Sequence, residues 1–478
     1  MVGGCQTTYR PEACVRTDSN DPERPVPSRT APAPIRSVPT IALAAVDGRT
    51  GAGVTERAAT YAEVFAVREY RYLFGAYLLS LAGDQITAVT VAYVVYTGTG
   101  SAALSAAAYA SSYLAWLTAG PLLSGLADWF PRRRVLVVCD LARAALIPLA
   151  ALPDVAAPAL VVLLFLVNLL RPPFVAARAA LMPEVLDGDR YPVANGVDNI
   201  CAQVVQVVGF AVGGSLVALL SLRGALLVDA GTFLVSALLI MVGVRRRPAP
   251  RPAAGPARPD RAAGLRIIRT DPRLRAYVLV LWTASSFTYA AEGLMAPLAR
   301  QYGGGAGTVG LLLAAAPTGM ALGGVALTRF CPPAVRPRLI LPLAVLSAGV
   351  LAAVWLVPPL WLVLTLLLLA GAASAFAVPL NALFGRAVPA QLRGRAFGVA
   401  ITGLSGFQGL AMVTAGLAAD RWTPTTVIGF SGLSGALVVL ALAPLWPRRA
   451  AVVTDGVERL RTPSIADGPT AKVGGGRR

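Results

Sequence analysis

A chain of 478 residues, 56% hydrophobic and only 14% charged, with a mean hydropathy of +0.65, departs from the composition of a soluble domain, where about a quarter of residues are charged. The net charge of +18 invites a nucleic-acid partner, but the arginines fall in loops between apolar runs of roughly 20 residues, so the charge marks membrane topology instead. Histidine is absent, which leaves proton work to carboxylates, and the cysteines at 5, 14, 139, 201 and 331 have neither zinc-site nor disulfide-framework spacing.

Residues 1–60 are rich in Pro, Arg, Ala, Ser and Thr without a sustained apolar run, and read as a disordered cytoplasmic N-terminal tail. Tyr61 to Arg71 reads as a short amphipathic helix, with Val64 and Phe65 apolar and Glu63, Arg68 and Glu69 polar. Membrane helices are predicted at about 72–96, 102–127, 135–152, 158–180, 196–220 and 224–244, and again at about 276–299, 306–328, 338–357, 359–384, 396–419 and 425–446. The expected class is therefore an all-α membrane protein of twelve transmembrane helices. Its expected parts are an N-terminal six-helix half (61–244), a Pro-rich cytoplasmic linker (245–275), a C-terminal six-helix half (276–447) and a disordered cytoplasmic C-terminal tail (448–478). Arginine is dense on one set of alternating loops (132–134, 190, 329, 336, 338, 386, 393, 395 and the linker) and sparse on the other, which predicts both termini in the cytoplasm.

The loop after the second predicted helix carries Gly125-Leu126-Ala127-Asp128-Trp129-Phe130-Pro131-Arg132-Arg133-Arg134-Val135-Leu136. An acid, a proline and three arginines belong at a membrane face, not in hydrocarbon. The string resembles the loop between helices 2 and 3 of major facilitator superfamily transporters, with Trp129 in place of the usual Arg. That resemblance implies a gate in which Gly125, Asp128, Arg132 and Arg133 steady one conformation, with the acid set near a helix N-terminus of the other half. Gly324, Thr328 and Arg329, after the eighth helix, form a weaker copy. Gly209-Phe210-Ala211-Val212-Gly213-Gly214 resembles the fifth-helix motif of the superfamily's proton-antiporting exporters, with Phe210 where Pro is usual; ordinary small-residue packing is the alternative, as in Gly319-x-x-x-Gly323. Ala179 to Glu184, Ala194-Asn195-Gly196, Asp229 to Phe233 and Arg393-Gly394-Arg395 are similar to strings in the branch of the enterobactin exporter and macrolide-efflux pumps, so the resemblance spans about 61–447.

A charge inside a helix costs about 2.5–3.5 kcal/mol on insertion scales and needs a reason. Asp84 in helix 1, Glu292 in helix 7 and Asp229 in helix 6 are the proton-coupling candidates, since a carboxylate in low dielectric can change protonation during a cycle; a structural ion pair is the alternative. Arg171 is expected either to touch substrate or to pair with Asp140, Asp198 or Glu184. Gln85, Asn168, Gln203, Gln206, Tyr289, Asn381 and Gln408 are further candidates for a central cavity, with Tyr109, Tyr113, Trp116, Trp282 and Phe287 as aromatic neighbours. Amides among aromatics suit bulky amphipathic molecules. The expectation is a secondary transporter, not an enzyme, that exports hydrophobic or amphipathic compounds against protons. No cofactor or metal is expected, and no nucleotide-binding loop occurs. The expected partners are a small-molecule substrate, protons and the lipid bilayer, with no nucleic acid, and the expected state is a monomer in the cell membrane. Proton-linked metabolite uptake and a non-transporting receptor or assembly protein on the same scaffold are the rivals.

Overall fold

The computed structural model describes residues 59–123, 129–152, 155–248 and 262–447, with the side chains of 120–123 left aside. All of them belong to one compact unit, Arg57–Arg478. The predicted tails, apart from Ala59 and Thr60, lie outside these residues, as do Gly125 and Asp128 of the loop motif.

A short helix, Tyr61–Ala66, opens the described chain. Thr60 and Glu63 close its start reciprocally, each side chain accepting from the other's backbone N–H. It stops at Val67 and does not run on to Arg71, because extended backbone there (φ −72°, ψ 107°) turns the chain into α1, Arg68–Thr99. The next rods are α2 (Ala102–Leu123), α3 (Arg132–Ala150) and α4 (Ala157–Val185). A 54-residue helical stretch, Arg190–Gly243, follows, and Ser221 (φ 65°, ψ 174°) breaks it into α5 (190–220) and α6 (222–243). The end of the predicted linker is itself helical (Ala263–Thr270), and Asp271 caps a span that starts at Pro272. This is α7, Pro272–Glu292, prolonged by Met295–Gln301. Then come α8 (Ala306–Phe330), α9 (Arg336–Leu356), α10 (Leu360–Ala387), α11 (Ala390–Ala419) and α12 (Pro424–Leu445).

Counting Arg190–Gly243 as one, eight of these stretches are long and apolar enough to cross a membrane. The remaining α2, α3 and α7 have spanning length, at 22, 19 and 21 residues. Two of them are interrupted by charge: α3 opens on three arginines and holds Asp140 and Arg143, and α7 carries Arg273, Arg275 and Glu292. With the Ser221 break, the described residues form twelve rods of spanning length.

The rods alternate between two faces. On the linker face, Arg247 bridges Glu69 at the start of α1 and Glu184 at the end of α4. Arg132 pairs with Glu184 and donates to the Ala180 carbonyl (2.9 Å), and Arg133 donates to the carbonyls of Met241 (2.5 Å) and Ile240 (3.4 Å). Both carbonyls lie in the last turn of α6, where the helix dipole favours a cation; Ile240 also accepts from the capping Val244 N–H (3.1 Å). The opposite, far face carries the α1–α2 and α11–α12 turns.

In lipid, helices gain little from apolar burial against each other, and small residues decide where backbones meet. A methyl group on Gly213 would lie 3.0 Å from the Ile86 Cα of α1, and one on Gly214 only 2.6 Å from the Ala306 carbonyl oxygen of α8. Across that contact Gly310 faces the Phe210 carbonyl oxygen, 2.5 Å from where a Cβ would sit. The fifth-helix glycines therefore join α5 to α1 on one side and to α8 on the next. Gly319 and Gly323 do the same for α8 against Leu368 and Ala372 of α10.

Candidate functional site

Between the rods lies a cavity of about 320 Å³. Its wall comes from α1 through α6, save Tyr289 of α7 and Ser405 of α11. The α1 contribution follows helical periodicity: Tyr77, Leu81, Asp84, Gln85 and Ala88 recur every three or four residues and share one face.

Asp84 is held between two guanidinium groups, with Arg143 of α3 at 3.6 Å and Arg171 of α4 at 3.3 Å. Helix α4 interrupts its helical course at Leu170, just before Pro172 and Pro173, whose missing N–H groups weaken the ladder there. Arg171 stands at that interruption, and its partner is Asp84, not Asp140, Asp198 or Glu184. Arg143 is 1% exposed. It donates to Ser80 (3.3 Å) and lies over the rings of Phe233 and Phe174, 5.3 and 5.8 Å away. Its Nε and Nη2 are buried without a hydrogen-bond partner. Asp140, one helical turn before Arg143, accepts from Ser236 (2.5 Å) and Ser80 (3.4 Å). Arg178 takes Asp198 (2.5 Å), which also accepts from Tyr70 (3.1 Å).

Asp229 has different company. It is fully buried, and its oxygens accept from the hydroxyls of Thr87 and Thr232, the latter at 3.4 Å. No cation lies within ion-pair distance of it among the described residues. Gly83 makes room for this group, since a Cβ there would overlap Asp229 and Thr232.

Glu292 ends the first segment of α7, where Gly293 and Leu294 interrupt the helix. It accepts from the Tyr109 hydroxyl of α2 (3.3 Å) and stands behind the cavity wall rather than in it. Tyr109, Tyr113 and Tyr289 form the wall in front, with Tyr113 edge-on to Tyr289 at 5.5 Å.

Of the amides and aromatics expected at the cavity, Gln85, Asn168, Gln203, Gln206 and Trp116 line it, and Asn168 donates to Ser111 (3.0 Å). Asn381 is exposed on α10 and Gln408 is buried in α11, both away from the lining. Trp282 stacks on Phe407 and donates to the Ala400 carbonyl (2.8 Å), and Phe287 packs at Gly435, so neither faces the cavity. Sequence reading passed over Tyr77, Thr87 and Phe233. Thr87 had a signal, lying three residues beyond Asp84 on the same helical face.

Residues 73–403 match the model of the Major Facilitator Superfamily. The chain belongs to the major facilitator superfamily. This facilitator is 28% identical over 423 residues to the multidrug efflux pump Tap of Mycolicibacterium fortuitum, across 83% of this chain and 97% of that one. Among solved structures it resembles a mutant of the nucleoside transporter NupG (TM-score 0.61, 14% identity, 79% of this chain and 100% of that one). It also resembles a bacterial homologue of the human lysosomal transporter Spinster in an inward-facing, occupied conformation (TM-score 0.59, 16% identity, 79% and 96%). At such identities the two structures speak for the fold alone. The protein is a multi-pass membrane transporter and not an enzyme.

Proposed function

We propose that this facilitator exports hydrophobic or amphipathic small molecules in exchange for protons, with its linker face and both termini in the cytoplasm. The observation that carries the reading is the cavity wall. Amides and aromatic rings surround two carboxylates, and one of these, Asp229, has hydroxyl partners but no cation. A buried carboxylate without a counter-ion is expensive to keep charged, so it is the group best suited to gain and lose a proton within the cycle. Asp84, between two arginines, is suited to remain charged and to hold α1, α3 and α4 together. Glu292, with a single phenol donor, is the second coupling candidate. The volume fits a drug-sized molecule, and the similarity to a multidrug efflux pump favours export over uptake.

The test uses purified protein in proteoliposomes with an imposed pH gradient and a fluorescent lipophilic dye. One proton moving down 100 mV supplies about 2.3 kcal/mol, enough for roughly fiftyfold accumulation. Asp229→Asn is expected to abolish uphill transport while leaving downhill exchange of preloaded dye. Unchanged uphill transport in this variant and in Glu292→Gln would overturn the coupling assignment. Dye movement along the proton flux, not against it, would make the protein an uptake system.

A further inference from the structure

Two carboxylates of the C-terminal half reach across to the N-terminal half. One is Glu292, buried at Tyr109. The other is Asp420 on the far face, directly after α11. Its Oδ1 accepts from the backbone N–H groups of Ala102 (2.6 Å) and Ala103 (3.3 Å), and its Oδ2 accepts from the Ser101 hydroxyl (3.2 Å). Ala102 is the first residue of α2. A side chain from one half thus occupies the N-terminus of a helix in the other, where unpaired N–H groups and the helix dipole favour an anion. Ser101 accepts from Leu104 N–H (3.2 Å), so the turn's own hydroxyl and the foreign carboxylate divide the free donors between them. Beneath this contact Gly416 lets the backbones close, since a methyl group there would lie 2.9 Å from the Ala102 carbonyl oxygen. Helices α2 and α11 cannot part at the far face without uncapping α2.

We propose that Asp420 is a positioning residue of the transport cycle: it holds the far face shut in the conformation described here, and its release from Ala102 and Ala103 accompanies opening of that face. The resemblance implied an acid-on-helix-terminus contact for Asp128, at the opposite end of α2. Asp420 supplies one at this end, from the partner helix.

The experiment measures distances between spin labels in the full chain in lipid nanodiscs, with the native cysteines replaced by serine. One pair reports the far face (Thr97→Cys with Trp422→Cys) and another the linker face (Arg190→Cys with Arg329→Cys). Asp420→Ala is expected to raise the ratio of far-open to far-closed molecules about five- to thirtyfold, the range of a helix cap of this kind. The linker-face pair should shorten in parallel, and Asp420→Glu should restore most of the closed population. Asp420→Asn, which keeps one acceptor oxygen but no charge, should fall between, and it stands in if the alanine variant does not insert. A static cap would lower thermal stability and leave both distance distributions unchanged, which overturns the proposal.

Discussion

Asp84 and Asp229 share one cavity wall but have opposite surroundings, and the same substitution should separate them. Removing one member of a buried ion pair costs about 3–5 kcal/mol, because the partner stays charged and unmatched. Asp84→Asn strands Arg143, and also Arg171, whose 27% exposed side chain water relieves. The expected loss therefore lies toward the lower end of that range, as a clear fall in unfolding temperature in detergent. A second substitution, Arg143→Met, should recover part of it; no recovery would mean that the pair does not hold the helices. Asp229→Asn leaves no cation behind, and its stability loss should stay within about 1.5 kcal/mol, the net worth of a hydrogen bond. Ser221 makes a separate residue-scale case. Its φ of 65° with ψ of 174° belongs to a region that only glycine occupies freely. Ser221→Gly should stabilise the protein by about 1 kcal/mol, the relieved strain less glycine's entropy, and Ser221→Val should destabilise it. Thermal unfolding of the two variants in opposite directions is the check.

At the scale of elements, α8 offers a controlled comparison. A Cβ on Gly310 would press on the Phe210 carbonyl oxygen, whereas one on Gly307, a turn earlier, would meet nothing within 4 Å. Gly310→Ala should therefore cost about 1–3 kcal/mol and slow transport by loosening α5 from α8, while Gly307→Ala should be silent in both assays. Equal effects would remove the close-approach account of the fifth-helix motif. The same elements show what a sequence makes legible. Span positions could be read because an apolar run of about 20 residues admits one structure in lipid. The predicted fifth and sixth spans leave residues 221–223 between them as a turn, but one residue, Ser221, suffices to break the helix. Which way a polar group faces was harder to read. The spans are apolar around most of their circumference, so Asn381 and Gln408 looked as inward as Gln203 and Gln206. Asp84 could be found, but not its partners, because Arg143 and Arg171 reach it only through the packing of α3 and α4. Asp420 gave no signal, since an acid just beyond a span looks like any solvated turn.

For the whole molecule, the cytoplasmic linker face proposed above rests on the arginine asymmetry between the two sets of loops. An alkaline phosphatase fusion after Gly100 should be active and one after Arg134 inactive; the reverse would invert every inside and outside assignment. The fold also divides its work unevenly. Nearly every side chain of the cavity wall, and the ion pairs of Glu69, Asp84, Glu184 and Asp198, belong to α1–α6 and the residues just flanking them, whereas α7–α12 supply Tyr289, Ser405 and the close approaches of α8 to α5 and of α11 to α2. Evolution then meets two different targets in one gene. On the proposed export function, in a library of random substitutions selected for altered drug resistance, changes in which compounds are tolerated should concentrate in residues 61–244. Substitutions within 262–447 should raise or lower resistance to all compounds together, because a stretch that lends the cavity only Tyr289 and Ser405 can drift in sequence without redrawing the list of cargoes.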